Sequence, residues 1–273
     1  MCAAPYIVMS APNGARRHRA QHPNLPVTPD ELADCAQSVL EAGAAIIHIH
    51  IRDDFEGHSL DARRYRDALR AIRDRIQDRL VVQVTTESCD TYTPQQQMEL
   101  VRELRPEAVS VALRELLPHP ELIKDVRDFS TWSRANGVMV QCILHTPDDA
   151  SRYSELRNRG VLGDESNFVL FVLGSYSMAI DGLPEDIEIY RSNIADESVF
   201  WSVCCFGSRE NDAARLAAQS GGHARVGFEN NLNMPDGSLA PDNAALVRLA
   251  VQQGLDAGRP IADAGQVRAM FAV

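Results

Sequence analysis

Short apolar runs alternate with longer amphipathic stretches along nearly the whole chain. The runs are rich in Val, Ile and Phe and are bounded by turn residues, which is typical of β-strands. Some of them, such as VLFVL at 169–173, are apolar at every position, which indicates strands covered on both faces, as in a parallel sheet. The predicted strands are Tyr6–Ser10, Ala45–Arg52, Leu80–Thr86, Ala108–Leu113, Val138–Leu144, Asn167–Leu173, Phe200–Phe206 and His223–Glu229.

The intervening stretches carry the start and stop signals of helices. In the first of them Thr28 supplies an N-cap, Pro29 occupies the first helical position and acidic residues follow. This helix is predicted to end at Gly43. Further helices are predicted from Asp61 to about Gln77, from Thr93–Pro94 onward and from Pro241–Asp242 onward.

The alternation of strands and helices predicts an α/β fold, a TIM (β/α)₈ barrel that forms one domain over residues 1–273. The length fits a fold that usually takes roughly 250 residues. An open doubly wound sheet is the alternative, but no GxGxxG follows the first strand and no GxxxxGK[ST] occurs in the chain. We find no linker, low-complexity tract or tandem repeat.

Net charge limits the kinds of partner that are expected, and cysteine content bears on the expected location. The net charge of −11 argues against a nucleic-acid partner. The dense basic cluster Arg16–Arg17–His18–Arg19 is either a solvated loop or an anion site. The six cysteines form no CxxC pair, so reduced thiols and a cytoplasmic location are expected. We see neither a signal peptide nor an apolar stretch long enough to span a membrane.

The strand IIHIHIRDD carries the clearest chemical signal. Side chains alternate across a strand, so Ile46, His48, His50 and Arg52 share one face, and the other isoleucines face the helices. We expect the polar face to point into the barrel, towards the C-terminal mouth where barrel active sites lie. A divalent metal explains two imidazoles aimed at one point, and zinc is the expected ion. The alternative is two hydrogen-bonded core histidines.

A third ligand is available on the last strand, HARVGFENN. Alternation places Arg225, Gly227 and Glu229 on one face, with Glu229 at the C-terminal end. In a closed barrel this strand neighbours the first strand and lies one further from the second. Glu229 is therefore predicted to complete a site of two histidines and one glutamate, a known catalytic zinc pattern. The alternative is a carboxylate that caps the following segment.

Other strand ends supply candidate substrate contacts. The third strand ends in Thr85–Thr86–Glu87–Ser88, which ordinary turn chemistry would also explain. Arg114, Glu115 and His145 follow the next two strands, and Ser110 lies on the fourth. We predict substrate-binding roles for Thr85, Thr86, Ser88, Arg16 and Ser110. The other histidines are expected to be structural or exposed: His18, His22, His58, His119 and His223.

Several stretches are similar to those of one family, and GAAIIHIHIRDD and GGHARVGFE together are quite specific. The stretches are HPNLPVTPDELA, EAGAAIIHIHIRDD, VVQVTT, FVLGS, GGHARVGFEN and the tail GSLAPDNAALV with GRPIADAGQVR. On these motifs the chain resembles the β-keto acid cleavage enzymes, which include the 3-keto-5-aminohexanoate cleavage enzyme, over nearly its whole length. The resemblance implies a zinc-dependent TIM barrel, usually a cytoplasmic homotetramer. Such an enzyme condenses a β-keto acid with acetyl-CoA and gives acetoacetate and a new CoA thioester.

The resemblance also implies roles for individual residues. His48, His50 and Glu229 match the family's metal ligands, and Arg225 matches an arginine that assists the chemistry. Thr85 falls at a substrate-contacting serine and keeps the hydroxyl. The family's Ser-Thr-Gly-Gly turn becomes Thr85–Thr86–Glu87–Ser88 here.

Other family positions are changed. Asn230 stands where the family has its catalytic base, and an amide cannot accept a proton near neutral pH. Arg16 replaces a family glutamate, Ala112 replaces a substrate-contacting asparagine, and a glutamate of the fifth strand falls at Gln141 or Cys142. Glu87, Glu115 and a metal-activated water are the candidates for a relocated base. The reversed charge at Arg16 predicts a more anionic substrate than an amino-keto acid.

The favoured function is zinc-dependent carbon–carbon bond cleavage or condensation of a small β-keto acid with acetyl-CoA. Arg225, Asn230 and Glu87 are the predicted catalytic positions. The alternative is a zinc hydrolase or an aldolase-like lyase that acts on a small anionic substrate without CoA, because the family base is absent. A metal-containing barrel that only binds a ligand is a third hypothesis.

Overall fold

Eight parallel strands close into a barrel in the computed structural model of the chain, which confirms the predicted fold class. The structure describes residues 3–163, 167–176, 178–194 and 196–271. Cys2 lies outside these residues, and the five described cysteines are free thiols. In chain order the strands are β1 (Val8–Ser10), β2 (Ile46–Ile49), β3 (Ile51–Arg52), β4 (His58–Ser59), β5 (Val81–Thr85), β6 (Ala108–Ala112), β7 (Met139–Leu144), β8 (Phe168–Leu173), β9 (Phe200–Cys205) and β10 (His223–Val226).

The barrel order is β1, β2, β5, β6, β7, β8, β9 and β10, after which β10 pairs with β1. The short strands β3 and β4 form a separate antiparallel hairpin above the barrel strand β2. Closure matters for function, because it brings the last strand within one strand of β2.

Helices cover the outside of the barrel. They are α1 (Pro29–Glu41), α2 (Ala62–Ile76), α3 (Pro94–Leu104), α4 (Leu113–Leu116), α5 (Ile123–Ala135), α6 (Pro147–Asn158), α7 (Ile187–Ser192), α8 (Glu210–Gln219), α9 (Asn243–Asp256) and α10 (Ala264–Phe271). Single 3₁₀ turns lie at Pro120–Leu122 and Pro184–Asp186. None of the helices described is long and apolar enough to cross a bilayer.

The predicted helix starts follow from local capping chemistry. Thr28 and Glu31 form a capping box at α1, and Thr93 and Gln96 form another at α3. In each box the Thr hydroxyl accepts a backbone N–H while the longer side chain accepts the N–H of the cap residue, so two donors that the helix leaves unpaired are satisfied.

Two apolar layers leave the C-terminal mouth as the polar end of the barrel. Outside the sheet, Ile47 and Ile49 pack against the helices, as the alternation predicts. Inside, the lower end is filled by Met9, Ile46 and Phe168, which α10 covers from below. Polar side chains above this plug therefore gather at the opposite end, where barrel enzymes place their chemistry.

The second strand ends earlier than the sequence predicts. The side chain of Asn13 donates to the carbonyl of His50 at 2.8 Å and accepts the His50 N–H at 3.2 Å, so these groups do not pair with a barrel strand. Ile51 and Arg52 leave the barrel and enter the hairpin. The prediction that Arg52 points into the barrel interior is wrong: its guanidinium donates to the carbonyls of Gly14 and Ala15 and holds that loop over the mouth.

The last strand also ends early, at Val226 rather than at Glu229. Gly227 has a φ of 136°, a conformation that L side chains rarely adopt, and a Cβ there would meet the carbonyl oxygen of Ala11 at 2.5 Å. The strand therefore turns at Gly227, and Glu229 reaches the mouth from a turn rather than by strand alternation.

Candidate active site

His48, His50 and Glu229 converge at the mouth of the barrel. The two Nε2 atoms lie 3.0 Å apart, and Glu229 Oε2 lies 3.6 Å from His48 Nε2 and 3.4 Å from His50 Nε2. Both imidazoles are almost fully buried. These three residues form a group whose ligand atoms could all bind one metal ion.

The donor set fits a zinc-type ion. Tetrahedral ligands at about 2.0–2.1 Å from zinc lie about 3.3 Å from one another, close to the three separations found here. Burial lowers the pKa of His48 to about 4 and that of His50 to about 3, so both imidazoles offer lone pairs at neutral pH. Glu229 Oε2 is buried and has no hydrogen-bond partner among the described residues, as expected of an atom reserved for a cation.

Arg225 and Gly14 position the Glu229 carboxylate. Burial opposes its ionisation, but Arg225 and the two imidazoles outweigh that cost and hold the pKa of Glu229 well below its usual value. Arg225 Nη2 donates to Glu229 Oε1 at 2.9 Å and so leaves Oε2 turned towards the histidines. Gly14 packs under the side chain, where a Cβ would meet Glu229 Cγ at 2.5 Å.

Glu87 is the carboxylate beside this group. Its Oε2 lies 3.9 Å from His50 Nδ1, and its Oε1 lies 3.7 Å from Arg16 Nε. Burial, reinforced by the negative charges of Glu229 and Glu115, raises the pKa of Glu87 to about 7. A carboxylate with this pKa can exchange protons near neutral pH, which is the property of a general base.

Glu115 is engaged in structural hydrogen bonds instead. Its Oε2 accepts the Ser88 N–H at 2.8 Å and the Gln97 amide at 3.0 Å, so it fixes the loop that carries Glu87. Thr86 in the same segment donates its hydroxyl to the carbonyl of Ser110.

The remaining predicted contacts occupy different depths. Thr85 accepts the Glu87 N–H on its hydroxyl. The Ser110 hydroxyl is buried and has no partner in the described part of the chain. Arg16 and Arg17 lie at the rim, where Arg17 Nε donates to the Phe228 carbonyl at 2.9 Å and stacks on Tyr176.

An open cavity of about 430 Å³ lies at the mouth, and Glu229, Glu87 and the first loop line it. Its basic residues are Arg16, Arg17 and Arg114, its acidic residues are Glu87, Glu115 and Glu229, and its apolar wall includes Val172, Met178 and Phe206. The volume lies within the range of small-ligand sites, about 300–1,000 Å³.

Asn230 is buried beside Glu229, and neither side-chain atom finds a hydrogen-bond partner among the residues described. Its turn is held from outside: Glu210 accepts the Gly227 N–H at 3.0 Å, and Asn243 accepts the Phe228 N–H at 2.9 Å. The amide carries no charge and is too weak a proton acceptor to act as a base near neutral pH.

Sequence reasoning missed four residues that contact the candidate metal ligands or belong to the polar interior connected to them. His58, predicted to be structural or exposed, lies with its ring centroid 5.5 Å from that of His50. Asn13 fixes the His50 backbone, Gln83 accepts from His48 Nδ1 at 2.9 Å, and Ser202 joins the polar interior through Gln141. Gln83 and Ser202 each carried a local signal, as a polar residue within an otherwise apolar strand.

Comparisons with known proteins show which family the chain resembles along its length. A family model for beta-keto acid cleavage enzymes matches residues 5–273. The chain is 28% identical over 274 residues to the 3-keto-5-aminohexanoate cleavage enzyme of Acetoanaerobium sticklandii, covering 98% of each protein. It is 25% identical over 272 residues to the 3-oxoadipate:acetyl-CoA acetyltransferase of Cupriavidus necator, covering 98% of this chain and 94% of that protein.

Among solved structures, the apo structure of ObcA matches with a TM-score of 0.70 at 17% identity, which shows a shared fold. That match covers 92% of this chain and 66% of the ObcA chain, so this chain spans just under two thirds of its length. The family match, in contrast, runs through every strand that carries a candidate ligand. The chain therefore belongs to the β-keto acid cleavage enzyme family, and it is an enzyme of that kind.

Proposed function

We propose that this enzyme cleaves a small, anionic β-keto acid in a reaction with acetyl-CoA, giving acetoacetate and a new CoA thioester. The observation that carries the proposal is the meeting of His48, His50 and Glu229 beside Glu87, with the two carboxylates lining the cavity. The names of the relatives support the co-substrate, since two of them are an acetyl-CoA acetyltransferase and an acetyl-CoA acetone transferase.

The three ligands would hold one divalent ion, which we propose is zinc. When bound, such an ion acts as a Lewis acid that polarises a carbonyl oxygen. Arg225 keeps Glu229 ionised and oriented, and Gln83 orients His48. The protein thus supplies a fixed ligand set.

Glu87 is the proposed base. It would take a proton from the carbon between the keto and carboxylate groups, and then return one. The family resemblance places a catalytic carboxylate at Asn230 and none at Glu87, so in this proposal Glu87 takes over the role that the Asn230 amide cannot fill. General-base catalysis contributes roughly 10²–10⁴ to a rate.

Arginines at the rim support an anionic substrate. Arg16 and Arg17 come from the first loop, and Arg114 comes from α4 on the other side of the cavity. Arg114 is already paired with Asp149, whereas Arg16 contacts Glu87 only at 3.7 Å. Arg16 is therefore the guanidinium most available to a substrate carboxylate.

The first experiment is calorimetric titration of the zinc-loaded enzyme with acetyl-CoA up to about millimolar concentration, a limit near −4 kcal/mol. Saturable binding supports the proposal and leads to a screen of keto acids that carry a further anionic group. An absence of binding overturns it and favours a CoA-independent hydrolase or lyase built on the same ligands.

The anionic substrate has its own test. Arg16→Glu should raise KM for the anionic keto acid at least about tenfold, because it reverses a charge at the rim. Arg70→Glu, on the exposed face of α2, makes the same change of net charge away from the cavity and should leave KM unchanged. An unchanged KM in Arg16→Glu would contradict this assignment.

Assembly as a cytoplasmic homotetramer stays a prediction from the family resemblance. Light scattering coupled to gel filtration would test the oligomeric part.

A further inference from the structure

We propose that a row of buried hydrogen bonds across the barrel interior fixes the tautomer of His48 and leaves its Nε2 unprotonated, the form that can bind a metal. The inference rests on the proposed metal site. It assigns a positioning role to Gln141 and Ser202, which touch neither a ligand atom nor the cavity.

Four hydrogen bonds make up this row. His48 Nδ1 lies 2.9 Å from Gln83 Oε1, and Gln83 Nε2 donates to Gln141 Oε1 at 3.1 Å. Gln141 Nε2 donates to Ser202 Oγ at 3.0 Å, and Ser202 Oγ donates to the carbonyl of Val169 at 3.2 Å. It joins residues that are 35, 58 and 61 positions apart along the sequence.

Barrel geometry explains why these residues meet. Gln83, Gln141 and Ser202 lie on β5, β7 and β9, which are alternate strands of the barrel. Side chains from alternate strands form one layer of a barrel interior. This layer lies above the apolar plug, and all three side chains are at most 1% exposed, so bulk water cannot replace a missing partner.

The donor-to-acceptor direction of these hydrogen bonds decides the tautomer of His48. A side-chain amide has an NH₂ donor on one side and an oxygen acceptor on the other. A glutamine that donates to one neighbour therefore presents its oxygen to the other. Because Ser202 donates to a backbone carbonyl, its oxygen accepts from Gln141, and Gln83 in turn presents its oxygen to His48. That oxygen can only accept, so His48 Nδ1 carries the proton and Nε2 is unprotonated.

Exchanging the donors and acceptors along these hydrogen bonds would prevent His48 from binding the metal. If Gln83 presented its amide nitrogen, His48 would accept at Nδ1 and carry its proton on Nε2. That proton would point at His50 Nε2, 3.0 Å away, and into the space between the ligands. A neutral imidazole in this form cannot bind a metal through Nε2. The hydrogen bond from Ser202 to the Val169 carbonyl thus favours the arrangement in which His48 Nε2 is unprotonated.

Two measurements test the proposal without any substrate. The first is the imidazole ¹⁵N spectrum of the metal-free protein near pH 8, where an ordinary histidine is neutral. We expect His48 to show the Nδ1–H tautomer. The second is zinc affinity, measured by competition with a chromophoric chelator.

The variants separate direction from packing. Gln141→Leu removes both links at its position, so Gln83 is no longer held in one orientation, and zinc binding should weaken by up to about 10–100-fold, the loss expected when a ligating histidine loses its partner. Gln141→Glu keeps an acceptor for Gln83, and the Ser202 hydroxyl can turn to donate to it, so it should bind zinc within about threefold of the wild type. Ser202→Ala should introduce the second tautomer, whereas Ser10→Ala, which removes a buried hydroxyl that has no described partner, should not.

An Nε2–H tautomer of His48 in the wild type would overturn the proposal. So would unchanged zinc affinity in a folded Gln141→Leu protein, or equal losses in Gln141→Leu and Gln141→Glu. If Gln141→Leu fails to fold, the wild-type spectrum and the Ser202→Ala and Ser10→Ala pair decide. Because neither measurement involves acetyl-CoA or a keto acid, failure of the proposed reaction would leave the result intact.

Discussion

Replacing Glu87 with glutamine should remove most of the activity and leave the metal ligands in place. The side chain keeps its shape but loses the ability to accept a proton. It lies 3.9 Å from the ring of His50, too far to be a hydrogen-bond partner, so the ligand geometry does not depend on it.

The expected loss is about 10²–10⁴ in kcat, the usual contribution of a general base. The pH profile gives a second measure. With the pKa of Glu87 raised to about 7, kcat/KM should rise with pH as the carboxylate forms, by roughly tenfold between pH 6 and 8. A bound cation would move the midpoint downward, because positive charge favours the carboxylate. Glu87→Gln should lack this rise.

The assay follows acetoacetate formed from acetyl-CoA and the keto acid found by screening, with zinc content measured for each variant. Glu115→Gln is the matched control, because it neutralises a carboxylate of the same cavity that is already bonded to Ser88 and Gln97. It should keep the pH-dependent rise even if its rate falls modestly.

A further variant, Asn230→Asp, introduces the carboxylate that the family resemblance predicts at this position. In the Glu87→Gln background it should recover part of the rate if either position can serve as the base. Full activity and an unchanged pH profile in Glu87→Gln would refute the assignment of Glu87.

Three further predictions concern the metal site and stability. His48→Ala should lower zinc affinity more than about 100-fold while circular dichroism shows an intact barrel; global unfolding would instead indicate a structural metal. Gly14→Ala should lower zinc affinity at least about tenfold, because the added Cβ would meet Glu229 Cγ at 2.5 Å. Gly137→Ala is the control: its φ of 66° is close to the 59° of Gly14, but open space surrounds it, so zinc affinity should not change. Burial lowers the pKa of His223 to about 3, so the folded protein binds fewer protons than the unfolded chain below about pH 6.5, and stability falls as the pH drops through that window. His223→Asn should reduce the loss between pH 7 and pH 5 by up to about 2 kcal/mol in urea titrations, and an identical pH dependence in both proteins would contradict this account.

Local rules were sufficient for the elements of the barrel. Apolar runs of strand period, the capping boxes at Thr28 and Thr93, and the alternation of His48 and His50 all depend on neighbours within a few residues. The sequence therefore predicted the fold class, the family and the two histidines that meet at the mouth. The resemblance and strand order added Glu229, since closure alone brings the last strand near β2.

Tertiary structure decided what surrounds those ligands. Asn13 captures the backbone of His50 and sends Arg52 out of the barrel, and Gly227 turns the chain so that Glu229 arrives from a loop. The sequence pattern could not show either event, because both depend on contacts between segments far apart in the chain.

The same reason applies to the site's electrostatics and to its interior. The pKa of Glu87 reflects burial and the charges of Glu229 and Glu115, which come from different strands and loops. Gln141 and Ser202 looked like isolated polar residues in apolar strands, and only barrel closure aligns them with Gln83 in one hydrogen-bonded layer. Sequence periodicity specifies which way a side chain faces, whereas the partner that it meets there is set by the packing of strands from the whole chain.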